Sequence, residues 1–280
     1  MADIGEPAPE PFELFALRYA ENGGRLAGEN FLNAADPHET SANLDYFIWL
    51  ARRGSEVFVI DTGFGTDSAA RRGRTLLRVP KDALALVGID AEAVTEVILT
   101  HLHYDHAGSL GDFPAARFHL QVGEAAYATG PCMCEPGARG PFDVENIVDY
   151  VRSLYAGRIV FHEGDYELAP GLRLYEVPGH SAGLQVVKVF TRRGWVLVAS
   201  DATHLYANLE RRDPFPILWD EAAIRRGFER LFELSPSRDH IIPGHDPMVM
   251  RAYPAPSPEL EGIVARLDVA PSLTWEEICA

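Results

Sequence analysis

Three histidines and one aspartate stand within six consecutive residues, in the run Thr100-His101-Leu102-His103-Tyr104-Asp105-His106-Ala107-Gly108. Imidazole with carboxylate is the ligand chemistry of zinc, and also of iron, manganese or cobalt. His101 and His103, two positions apart, point the same way in extended chain. Asp105 and His106 follow a turn and face a second point. So short a loop does not bring all four side chains comfortably onto one ion, so two ions are the natural reading.

The same context recurs three times downstream. Val177-Pro178-Gly179-His180 ends a strand-like run in Pro-Gly-His, Val196–Ser200 runs into Asp201, and Ile241-Ile242-Pro243-Gly244-His245 ends in Pro-Gly-His again. In each case a rigid apolar strand stops and a ligand-type side chain follows, which is where chemistry sits on a scaffold. One histidine beside a strand is usually structural. Four such segments in one chain point to a shared site. With one carboxylate bridging, five histidines and two aspartates supply three or four ligands to each of two ions.

The elements that would position these residues are read from periodicity. Strands are expected at Phe12–Ala20, Leu44–Ala51, Glu56–Ile60, Val94–Thr100, Arg117–Gln121, Ile159–Phe161, Leu172–Val177, Gln185–Phe190, Trp195–Ala199 and His240–Ile242. Arg53-Gly54 marks a hairpin turn. Helices are expected at Asp82–Val87 and Glu124–Ala128. A third starts after a capping Asp143, with Val144, Ile147, Val148, Val151, Leu154 and Tyr155 on one face and Gly157 at its end. A fourth spans Asp220–Leu234, with Ile224, Phe228, Leu231 and Phe232 inward. Residues 1–11 read as loose, and 21–42 and 129–142 as loops. The strands form two groups separated by the helix at 144–155, which suits two packed sheets with helices outside. No repeat or linker divides the 280 residues, so one domain spanning 1–280 is expected.

The formal net charge of −16 disfavours a nucleic-acid partner, because a polyanion would approach against the protein's own field. Arg71, Arg72 and Arg74 read as solvated surface. No apolar run approaches the roughly 18 residues of a membrane span. Three cysteines, with Cys132 and Cys134 too close for a comfortable disulfide, suit free thiols in a reducing compartment. With no signal-peptide pattern, the expected location is the cytoplasm. The expected partner is a small-molecule substrate, and self-association into a homo-oligomer stays open.

The pattern resembles the metallo-β-lactamase superfamily, whose hallmark is HxHxDH followed by separate His, Asp and His ligands. Within it the chain most resembles the N-acyl homoserine lactonases and related lactone hydrolases, through HLHYDHAG, VPGHSAG, SDA and PGHD. The resemblance implies an α/β fold, a four-layer αβ/βα sandwich with metals at one edge. It implies one metal on His101, His103 and His180, a second on Asp105, His106 and His245, and Asp201 bridging them. Asp61, in a strand–Asp–Thr–Gly element, would orient a ligand histidine.

The implied activity is that of a hydrolase with two divalent metal ions, zinc first among them. A hydroxide shared by the ions opens a small lactone or related cyclic ester, and Asp105 or Asp201 accepts its proton. No GxSxG motif supports a serine nucleophile. One departure stands out. The lactonases carry a tyrosine three residues after the bridging aspartate, where this chain has His204, placed to donate to the same substrate oxygen. Tyr206, Phe215 and Trp219 are candidate substrate contacts. The alternatives are a thioester hydrolase of the glyoxalase II type, for which about 35 residues after His245 make a short extension, or a hydrolase of another ester or cyclic amide. A nuclease, a di-iron redox protein and a metal-stabilised binding protein fit less well.

Overall fold

The computed structural model describes residues 9–40 and 43–279. Ten central residues, Leu44–Arg53, are apolar along most of their length and buried on both faces through Ala51, which makes this segment the middle of a sheet. In chain order the strands are β1 (Glu13–Asn22), β2 (Leu44–Arg53), β3 (Glu56–Ile60), β4 (Thr75–Leu76), β5 (Glu96–Ile98), β6 (Arg117–Gln121) and β7 (Ile159–His162). Then come β8 (Tyr166–Ala169), β9 (Leu172–Glu176), β10 (Gln185–Thr191), β11 (Gly194–Ser200), β12 (Ile241–Pro243) and β13 (Val264–Arg266).

The first sheet has the order β13-β1-β2-β3-β5-β6-β7, with β4 also paired to β1; the second is β12-β11-β10-β9-β8. Both are mixed. β3, β5, β6 and β7 run parallel, as do β11 and β12, and the other pairs are antiparallel. The period-2 alternation of β1 splits its side chains. Leu14 and Ala16 enter the core between the sheets with Trp49, Ile60, Leu174 and Val187. Phe15, Leu17 and Tyr19 enter a second core with Leu50, Val97 and Phe118, under helices on the outer face of the first sheet. The helix Glu221–Leu234 covers the second sheet with Ile224, Phe228 and Leu231, its first turn capped by Asp220 accepting from the Ala223 N–H. Helix, sheet, sheet and helix make the four-layer αβ/βα sandwich. Among the described residues no helix is long and apolar enough to cross a membrane.

Three readings change. The boundary between the sheets falls after β7, not at the helix Val144–Tyr155, because that helix is the crossover between the parallel strands β6 and β7. On the same helix Val144 and Tyr155 are 72% and 88% exposed, while Tyr150, Asn146 and Ser153 are buried. The inward stripe is rotated towards Ile147, Tyr150, Val151 and Leu154. Asp143 stands at its N-cap but makes no side-chain cap bond; its carboxylate takes Ser68, Arg71 and Arg72 instead. The readings at residues 1–8 lie outside the described residues.

Candidate metal centre

The ligand-type side chains stand just past the C-terminal ends of strands, where an α/β sheet opens its crevice. The loop after β5 carries His101, His103, Asp105 and His106; the loop after β9 carries His180; Asp201 follows β11 and His245 follows β12. The structure brings all seven together, each 8% exposed or less. Their donor atoms form groups within 4.8 Å of one another: His101, His103 and His180; Asp105, His106 and His245; His101, His106 and Asp201; His180, Asp201 and His204.

Asp201 lies between the first two groups. Its Oδ1 is 3.2 Å from His106 Nε2 and 3.1 Å from His245 Nε2, and its Oδ2 is 3.3 Å from His180 Nε2. Gly244 makes this approach possible, since a Cβ there would stand 2.6 Å from Asp201 Oδ1 and 2.7 Å from the Ser200 carbonyl. Ser200 and Asp61 both hold left-handed backbone, at φ 45° and 63°. Such strain in non-glycine residues is kept where surrounding contacts over-determine it.

The outer nitrogens of the histidines are fixed. His106 Nδ1 is 2.7 Å from Asp61 Oδ2, His180 Nδ1 donates to the Ile217 carbonyl at 2.8 Å, and His245 Nδ1 donates to the Asp45 carbonyl at 2.9 Å. This sets each tautomer so that Nε2 turns its lone pair inward. Asp61 also accepts the Thr100 N–H at 2.7 Å and the Thr100 hydroxyl at 2.8 Å.

The inward side is where a cation fits. His101 Nε2 and His180 Nε2 are buried without a hydrogen-bond partner, a state that costs about 1–3 kcal/mol per group unless something satisfies it. Burial, then the neighbouring imidazoles, push His101 and His103 well below the usual imidazole range, and burial pushes His180 down as well. For Asp201 burial acts upward, but the imidazoles of His245, His106 and His204 outweigh it and hold the carboxyl well below its usual range. For His106 and His245 burial acts downward, but the Asp201 carboxylate outweighs it and holds both above the usual imidazole range, so a cation that takes their Nε2 atoms displaces protons as it binds.

Other candidates are placed differently. His204 is buried, stacked on Phe215 with ring centroids 3.3 Å apart, and its Nε2 is 2.9 Å from Asp201 Oδ2. That nitrogen faces the carboxylate, and His204 lines the cleft above the cluster. Phe215 is fully buried behind His204 and His180. Tyr206 does not line the cleft: its buried ring packs edge-on to Trp275 of the C-terminal helix Trp275–Cys279, because the helix Tyr206–Arg211 turns it inward. Trp219 is 45% exposed, edge-on to Tyr127. The lining from this segment is Pro216, Ile217 and Leu218, in a groove that also holds His103, His180 and Tyr127.

The sequence reading missed two tethers. Glu124 is fully buried and accepts from the backbone N–H groups of Leu102 at 2.9 Å and Gly183 at 3.1 Å, tying two ligand loops together. Tyr19 donates from its hydroxyl to the Asp105 carbonyl at 2.9 Å. Glu124 looked like an ordinary acid in a helix first turn, and no local signal marks its burial. Arg72 and Arg74, read as solvated, turn instead to the cleft above the cluster, which Arg25, Tyr46 and Tyr104 also line.

The metallo-beta-lactamase superfamily profile matches residues 44–249, a span that contains all seven side chains. The chain belongs to this superfamily. An N-acyl homoserine lactonase of Bacillus thuringiensis is 33% identical over 246 residues, covering 82% of this chain and 92% of that protein. Another, from a Bacillus species, is 30% identical over 167 residues, and the match spans 60% of its length and 58% of this chain. Among solved structures, a dizinc quorum-quenching lactonase in complex with its product shares the fold at a TM-score of 0.68 and 16% identity, over 86% of this chain and 90% of that one. A probable metallo-hydrolase of Mycobacterium tuberculosis is 25% identical over 239 residues, covering 71% of this chain and 74% of that protein.

Proposed function

We propose that this chain is a metal-dependent hydrolase of ester bonds, with two divalent ions, zinc as the resident pair, and a small lactone as substrate. The observation that supports it most is the convergence of three chain segments on Asp201 of a fourth, one oxygen towards His106 and His245 and the other towards His180. In this reading His101, His103 and His180 hold one ion, Asp105, His106 and His245 the other, and Asp201 both. When bound, such a pair supplies an acidified water and a Lewis acid for the carbonyl oxygen. The chain's own residues do the rest. Asp105, which lines the cleft with Oδ2 3.7 Å from His245 Nε2, and Asp201 are the carboxylates that would take up the proton released in hydrolysis. His204 steadies Asp201. Asp61 and the Asp45 and Ile217 carbonyls orient the imidazoles.

The lactone assignment is supported by the names of the relatives and by an apolar groove beside His103 and His180. The exposed free thiols of Cys132 and Cys134 suit a reducing, cytoplasmic setting. The test is elemental analysis followed by a hydrolysis screen of metal-reconstituted protein on lactones, thioesters and phosphodiesters. Two metals per chain with acidification on lactones is the expected result. One metal or none in well-folded protein, or release of thiol alone from thioesters, contradicts the reading.

A further inference from the structure

The cleft above the His/Asp cluster concentrates positive charge that ester hydrolysis leaves unused. Arg25, Arg72 and Arg74 line it with Tyr46 and Tyr104, in a chain whose net charge is −16. Two of the three are engaged. Arg72 lies 2.8 Å from an Asp143 oxygen, with its guanidinium over the Tyr104 ring at 3.8 Å. Arg25 is buried, bonded to Asn30 Oδ1 at 2.6 Å and the Glu29 carbonyl at 2.7 Å, with the Glu29 carboxylate 3.7 Å away.

Arg74 differs. Its Nε donates to the Tyr104 hydroxyl at 3.1 Å, and that hydroxyl donates to Tyr46 at 3.1 Å. Among the described residues no carboxylate lies within ion-pair distance of it, and Arg74 lines the cleft. The charges of Arg25 and Arg74 also repel one another. Arg74 nevertheless keeps its charge: burial acts downward, but Tyr46, Tyr104 and the Asp105 carboxylate outweigh it, so a cationic fork stands at the cleft. A carboxylate is the matching shape, since it takes a guanidinium fork through two parallel hydrogen bonds.

The same cluster borders a second, apolar groove. His103, His180, Pro141 and Ile217 belong to both spaces, and Tyr127 and Leu218 line the far side. A molecule reacting at the cluster therefore adjoins both an apolar wall and Arg74.

We propose that Arg74, supported by Arg25, forms an anion subsite, and that the substrate is a small lactone or ester carrying a carboxylate. The ester part rests on the hydrolytic reading above; the subsite stands on its own geometry. Zinc-loaded protein is titrated calorimetrically with glutarate and with pentanoate. Each offers one carboxylate to the cations, and only glutarate has a second at its far end. Glutarate binds more tightly by about tenfold or more. Arg74→Met brings the ratio near one and Arg74→Lys keeps part of it, with zinc content measured in every variant. Equal affinities in the wild type, or a preference that survives Arg74→Met with zinc retained, overturns the subsite. In parallel, a γ-butyrolactone with a ring carboxylate is compared with its amide counterpart. Preferred opening of the carboxylate, lost in Arg74→Met, supports the substrate class. An Arg74-dependent glutarate preference with neither lactone opened keeps the subsite and refutes the lactone reading. Opening of both lactones at equal kcat/KM without a glutarate preference does the reverse.

Discussion

Replacing Asp61 by asparagine changes one atom and disturbs three hydrogen bonds. Oδ1 accepts the Thr100 N–H at 2.7 Å, while Oδ2 accepts the Thr100 hydroxyl at 2.8 Å and faces His106 Nδ1 at 2.7 Å. An amide has one oxygen. If that oxygen stays on the Thr100 N–H, the amide NH2 faces His106 Nδ1 and drives its proton to Nε2, removing the lone pair that points into the cluster. If the amide flips, its NH2 faces the buried Thr100 N–H, donor against donor. The second orientation costs about 1–3 kcal/mol of stability. The first removes a charge-assisted bond of about 1.5–3 kcal/mol from a ligand imidazole, so metal affinity falls about 10- to 100-fold. The assay is chelator competition followed by elemental analysis, with thermal unfolding alongside. Asp61→Asn that keeps wild-type stability and binds metal within about twofold of wild type refutes the reasoning.

His204→Phe keeps the stack on Phe215 but removes the contact to Asp201 Oδ2; metal affinity is expected to fall about tenfold or more, read by the same competition. Lower kcat with metal affinity untouched would instead assign His204 to the substrate. Gly244→Ala puts a Cβ 2.6 Å from Asp201 Oδ1, for an expected loss of about 1–3 kcal/mol in denaturant unfolding together with metal; unchanged metal content would contradict the close approach. His162 is held at about 4 by burial and then by His119, which lies 2.9 Å away. The folded chain therefore binds fewer protons than the unfolded chain between that value and the ordinary imidazole range. This contribution to stability is present above that range and is lost as pH falls towards 4. His162→Gln should flatten the acid side of a Tm-versus-pH curve, and an unaltered slope would exclude the pair as its source.

Ligand chemistry was legible in the chain because it is carried by residue type: HxHxDH, two Pro-Gly-His ends and an aspartate after Val196–Ser200 each follow a local apolar run. Hydrophobic periodicity also placed most strands, since β6 and the hairpin of β2 and β3 are decided by neighbours a few residues apart. What it did not decide was which strands stand side by side. β7 joins β6 through its crossover helix, and β13, three residues long, carries too little pattern to be read. The inward turn of Tyr206, the burial of Glu124 and the facing of Arg74 into the cleft follow from contacts across the fold. His245 reaches the Asp45 carbonyl across 200 residues of sequence. Side-chain type is a local property. Burial and convergence are set by long-range packing, and only the tertiary structure turns four separate strand ends into one site.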